Sequence, residues 1–205
     1  MYDKLHITTE HTGKMEHMWS LSTSCKGNPH CKAFSKIDGS ICSRCYAQRM
    51  IKMYKNLDEC LQRNADILTS VIIPEDMLPT INCVFFRFES FGDLINETQA
   101  INYFNICNAN EDTHFALWTK NPAIIDNVIT QMGYTKPNNL NIIVSSLFIN
   151  KVYDGVNYDF IDKIFTVYDK DEAKKVDINC GKKKCIECKL CYKKNDVKYI
   201  NEIVK

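Results

Sequence analysis

NCVFFRFES (residues 82–90), THFALWT (residues 113–119) and LNIIVSS (residues 140–146) are three apolar runs rich in aromatic or β-branched residues. Between them, residues 97–108 and 122–132 carry apolar side chains at helical spacing, the second stretch opened by Pro122 near its first turn. Strand, helix, strand, helix in this rhythm predicts a parallel sheet with crossover helices, not an antiparallel sandwich. Working outward, DKIFTVYD (residues 162–169) reads as another strand and HMWSLST (residues 17–23) as a short first one, while residues 1–14 form a loose or weakly paired start. That is too few strands for an eight-unit barrel, so the expected fold class is α/β with an incomplete or open (β/α) barrel.

Eight of the eleven cysteines fall into two quartets, Cys25, Cys31, Cys42, Cys45 and Cys180, Cys185, Cys188, Cys191. Gly27, Pro29 and Asp38-Gly39 make residues 24–40 a loop holding the first two. Cys42 and Cys45 are expected three apart at the start of a helix, on one face, with Asn56 or Asp58 breaking and capping the next helix. The second quartet, CGKKKCIECKLCY, ends in C-x2-C-x2-C, the chained spacing that lets a short loop reach several irons of one cluster. Zinc is the rival for both quartets, although neither offers two C-x2-C knuckles separated by a spacer. His30 is read as either a ligand or a solvated loop histidine. Cys60, Cys83 and Cys107 are read as small core residues, Cys83 opening its strand.

The chain has 205 residues, and 45% apolar content is enough for a real core. Domains are expected at 1–175, a partial barrel with a cluster-binding loop at 24–46, and at 176–205, a cysteine-rich cluster-binding segment. The opening MYDKLHITTEHTGK is polar and no apolar run approaches ~18 residues, which predicts neither a secretory leader nor a membrane span. A cytoplasmic, reducing location follows, in which thiols stay thiols and disulfides are the weaker account. A net charge of +1 gives no global field toward nucleic acid. Lys182, Lys183, Lys184, Lys189, Lys193 and Lys194 crowd the second quartet and leave a phosphate-binding patch open, against the blander reading of a solvated face.

Ligands of parallel sheets gather at the carboxyl ends of the strands. That rule brings Cys25, then Glu89, Ser90, Gly92 and Asp93, then Thr119, Lys120 and Asn121, then Ser145 and Ser146, to one rim. Arg87 and Glu89 are expected on one side of their strand with Phe86 and Phe88 on the other, as a buried bridge or a substrate contact. Asp93 is read as functional or as the cap of the helix starting near Asn96. Lys120 either pairs with an anion or is simply exposed. No G-x-S-x-G elbow, Walker loop or H-E-x-x-H occurs, so hydrolase chemistry drops out.

SC…C…CSRCYA near the amino end, FRFESFGD, HFALWTKNP, IIVSS and a closing cluster ending LCY together resemble the bacteriophage gene product 88 family. That family is in turn similar to radical S-adenosylmethionine (SAM) enzymes. The resemblance implies an incomplete (β/α) barrel like a radical SAM core, cysteine-rich cluster-binding loops at both ends, and a [4Fe–4S] cluster beside the loop after the first strand. It also implies the host cytoplasm, and a small-molecule or protein redox partner. Cys42-x2-Cys45 followed by Tyr46 matches the tail of the radical SAM enzymes' C-x3-C-x2-C motif, whereas Cys31 and Cys42 are eleven apart and Cys25 adds a fourth sulfur. Phe91-Gly92-Asp93 stands where a Gly-Gly-Glu strand end would touch SAM. The cofactors implied are two [4Fe–4S] clusters, with SAM at Tyr46, Glu89, Ser90, Gly92, Asp93, Lys120 and Ser145, and with zinc as the alternative. Two further functions compete with SAM chemistry: a fully ligated electron-transfer, redox-sensing or structural protein, and a zinc-stabilised interaction protein.

Overall fold

The protein's computed structural model describes residues 5–54 and 56–204. Seven strands form one sheet in chain order: β1 (Ile7–Thr8), β2 (Trp19–Leu21), β3 (Phe85–Phe88), β4 (His114–Thr119), β5 (Leu140–Ser145), β6 (Lys163–Tyr168) and β7 (Tyr199–Ile203). β1 runs antiparallel to β2, and every later neighbouring pair is parallel. β1 and β7 are the two edges and do not pair with each other, so the α/β class holds while the sheet stays open.

Three helices fill the first crossovers: α3 (Leu57–Ser70), α4 (Glu97–Ala109) and α5 (Pro122–Asp126), the last continuing as a wider π-turn over Asn127–Gln131. Consecutive crossovers of one hand put helices on one face, and α4 packs between α3 and α5. α4 is therefore buried almost all round. Its Asn96 cap accepts from Gln99 N (3.0 Å), and buried Asn102 accepts from Ile73 N (2.8 Å) while donating to Leu68 O (2.8 Å), pinning the end of α3. Phe86 and Phe88 of β3 and Phe115 of β4 point to this face and are fully buried. Each contributes about 1.5–3 kcal/mol by burial. The Phe88 ring stacks on Tyr103 at 4.1 Å and on Phe115 at 5.2 Å.

Phe85, Ala116, Ile143 and Phe165 face the other way and are covered by Cys185, Ile186, Cys191 and Tyr192 from the connection between β6 and β7. That connection thus crosses the face opposite the helices. Lys163, 1% exposed, anchors it by donating to Asn195 Oδ1 and Val197 O, each at 2.8 Å.

Several local expectations need correction. Residues 24–40 are not all loop: Pro29 sits at the first position of α1 (Pro29–Phe34), where a missing N–H is harmless, and Asn28 caps it. Cys42 and Cys45 do not share a helix face, because Cys42 lies in a 3-10 turn (Ile41–Arg44) and Cys45 is the N-cap of α2 (Tyr46–Met53). β3 is shorter than expected, so Cys83 precedes the strand and Glu89 follows it. Glu89 adopts φ 55°, which turns its side chain toward α4 and breaks the alternation with Arg87. Asp93 does not cap α4, since Asn96 does. Of the two expectations for residues 1–14, a loose start or a weakly paired one, the second is seen as the two-residue β1, with residues 1–4 outside the described residues; β7 went unforeseen.

Candidate metal centres and the strand-end rim

The carboxyl ends of β2, β3 and β4 do meet. Asp93 Oδ1 accepts from Thr119 Oγ1 (2.5 Å) and its Oδ2 from Lys120 N (2.9 Å), tying the turn after β3 to the end of β4. Ser90 Oγ bonds Ser22 Oγ (2.8 Å), joining β3 to the chain after β2. Glu89 is buried and accepts from Tyr103 OH (2.6 Å), Gln99 Nε2 (2.7 Å) and Thr23 N (3.2 Å). Burial pushes its pKa up to about 8 against the pull of these donors. Gly92, at φ +74°, passes so close to Thr23 that an added Cβ would stand 2.4 Å from its carbonyl oxygen, so only glycine fits. Ser145 ends β5 and is buried, and Ser146 Oγ bonds Thr166 Oγ1 (3.1 Å) toward β6.

Over this rim lies the first cysteine loop. Asn28, fully buried, accepts from His30 N (2.9 Å) and Cys31 N (3.3 Å) and donates to Asp93 O (2.8 Å). Ser40 Oγ caps the Cys42 turn through Ser43 N (3.0 Å), and Ile41 N donates to Leu147 O (2.8 Å) beyond β5. The Tyr46 hydroxyl donates to Ser90 O. The loop is thus fastened beyond β2, β3 and β5 in turn.

Its four cysteines act on one another. Cys45 is pulled down to about 6, first by the hydrogen bond from the Cys25 thiol and then by the amides of Gln48 and Ala47 at the start of α2. The same bond, then burial, drives Cys25 far up. Burial raises Cys31, helped by Asp93 and Cys42; burial also raises Cys42, opposed by Lys120. Lys120 therefore supplies positive charge beside Cys42 and Cys45. The His30 ring stacks on Phe34 at 4.2 Å with its buried Nε2 unpartnered, and burial lowers its pKa.

The second quartet does not join this rim. It lies across the helix-free face, where Asn141 Nδ2 donates to Cys191 O (3.0 Å), Tyr192 packs on Phe85 and Cys180 N donates to Asn201 O of β7 (3.0 Å). Cys185–Cys188 form one helical turn, closed by Lys189 at φ 57°. All four cysteines line one cavity together with Lys14, Arg87 and Trp118. Lys14 Nζ donates to Cys180 Sγ (3.1 Å) and Glu202 Oε2 (2.8 Å). Burial pushes Cys191 up to about 12, against the pull of Arg87. Lys14 lies 166 positions from Cys180 and carried no sequence signal. Trp118 was hidden in an ordinary strand. Of the remaining cysteines, Cys107 is buried in the main core and Cys83 packs against it, while Cys60 lies on α3 with its Sγ 3.6 Å from Arg63 Nη2.

Among the described residues, no three His, Cys, Asp or Glu side chains are arranged to hold a single metal ion. All eleven cysteines are free thiols. The family model for gene product 88 matches residues 3–200, nearly the full length. The chain belongs to the gene product 88 family. No curated protein and no solved structure matches this gene product 88 member. No helix among its described residues is long and apolar enough to cross a membrane.

Proposed function

We propose that this gene product 88 protein is an iron–sulfur protein carrying two cysteine-ligated clusters of the [4Fe–4S] type on an incomplete (β/α) barrel, with redox chemistry resembling that of radical SAM enzymes. The observation that carries this reading is the gathering of eight free thiols into two all-sulfur groups, each with cationic side chains beside it. Soft thiolate donors select clusters or zinc over hard cations. A four-iron cluster takes each thiolate on a different iron, which suits ligands ringing a space and the chained C-x2-C-x2-C spacing. When bound, such a cluster supplies one-electron transfer. The protein's part is to hold the thiolates, offset their charge with Lys120, Lys14 and Arg87, and shape the rim.

At the rim, Glu89, Ser90 and Asp93 are already bonded within the protein and keep the strand ends in register. Gly92 lets the backbone pass closely. The Lys120 side chain and the half-exposed Tyr46 ring are what remain to meet SAM or another small molecule. A second reading, a fully ligated electron-transfer, redox-sensing or structural protein, is favoured by one observation: Cys25 shares a hydrogen bond with Cys45, so a fourth sulfur is at hand and no iron need stay open. Zinc in an interaction protein is the third.

Iron, sulfide and zinc content after oxygen-free purification, followed by electron paramagnetic resonance of the reduced protein with and without SAM, separates these. About eight irons with a SAM-sensitive signal are expected from two cubane clusters, one with an open iron. A SAM-insensitive signal moves the protein to the second reading. Zinc without iron overturns both.

A further inference from the structure

Arg87 has no carboxylate counter-ion among the described residues. It projects from β3 to the helix-free face, opposite Phe86 and Phe88, and its guanidinium lies over the Trp118 ring at 4.4 Å. Its buried Nε has no hydrogen-bond partner, and Nη1 meets only the weak acceptor Met15 Sδ at 3.3 Å. A half-buried guanidinium left like this is costly unless an anion arrives. The cavity it lines with Trp118 holds the four C-terminal cysteines, and its charge acts on Cys185 and Cys191. Of the cavity's other cations, Lys14 is shared between Cys180 and Glu202 (2.8 Å), Lys183 is exposed, and Lys189 holds its Nζ 5.3 Å from the Phe85 ring centre.

We propose that Arg87, held by Trp118, is the counter-charge of the C-terminal cysteine centre and sets the reduction potential of the cluster bound there; this rests on the iron–sulfur reading above. A thiolate-bound cluster gains one further negative charge when it accepts an electron, and a fixed cation beside it favours that reduced form. Arg87 acts as a positioning residue and is not a ligand.

The test is a dithionite redox titration of the full-length protein, read by electron paramagnetic resonance, with iron and sulfide assayed first. Cys42→Ala in the background removes overlap from the first centre. Arg87→Gln is expected to retain iron while the C-terminal signal becomes at least tenfold harder to reduce, about 59 mV for a one-electron couple. Arg87→Lys, which keeps the charge, is expected to stay within that margin of wild type. Iron retained in Arg87→Gln with an unchanged potential overturns the inference and leaves the iron–sulfur reading intact, whereas wild-type protein without iron in this quartet overturns both. Should Arg87→Gln fail to fold, Arg87→Lys decides alone, a shift beyond tenfold overturning a charge-based role.

Discussion

Glu89 concentrates more constraint than any other residue at the rim. It combines a positive φ, full burial of its carboxyl and donors from α4 and from the chain after β2. Non-glycine residues held at such angles cost of order 1–3 kcal/mol and persist only where the surroundings impose them. Its carboxyl, raised by burial to about 8 from an ordinary 4.5, favours the protonated form in the fold. The stability it contributes is complete below pH about 4.5 and is lost as pH rises through about 8, by up to about 5 kcal/mol. Glu89→Gln keeps an acceptor oxygen for Tyr103 and Gln99 and cannot ionise. In metal-free protein, urea midpoints at pH 5 and pH 8.5 should therefore differ less in Glu89→Gln than in wild type, and equal differences would remove Glu89 as the source.

At the scale of elements, the first cysteine loop keeps its shape through short caps, with little apolar packing of its own. No residue of α1 is buried, and six residues are too few to be stable without their cap and tertiary ties. Asn28 supplies both, bonding the first turn with its oxygen and the carbonyls after β3 with its nitrogen. Asn28→Ala is expected to lower stability by about 2–3 kcal/mol, from a lost cap and unpaired buried carbonyls. It should also lower metal content in the first quartet, because Cys31 rides on that turn. A urea midpoint shifted by less than about 0.5 kcal/mol equivalent would show that other ties carry the loop.

Across the whole molecule, the two quartets rest on different supports: one over the carboxyl ends of the strands, the other across the helix-free face of the sheet. They should therefore load separately. Cys42→Ala and Cys188→Ala are each expected to remove about half the iron and sulfide, since each cubane cluster is assembled by its own thiolates. Loss of all iron in either single variant would mean one shared or obligatorily coupled centre.

Apolar periodicity, Pro122 and the strand-end rule alone determined the α/β class, the order β2 to β6, α4 nearly to its ends, the start of α5 at Pro122, and the convergence of Asp93, Thr119 and Lys120 at the strand ends. These are local signals, because apolar side chains repeat at the period of the element they build. What only the tertiary structure decided depends on contacts far apart in sequence. Glu89 turned away from its strand face because Gln99 and Tyr103 of α4 offered donors. Pro29 began a helix because Asn28 could bond both its first turn and Asp93 O. β7 formed because β6 presented a parallel edge to an otherwise lysine-rich tail. Lys14 reached Cys180, and Arg87 reached the same cavity, only because the connection before β7 crosses the helix-free face. No spacing rule within the chain encodes which face a crossover takes; apolar area on Phe85, Ala116 and Ile143, left uncovered by the helices, selects it.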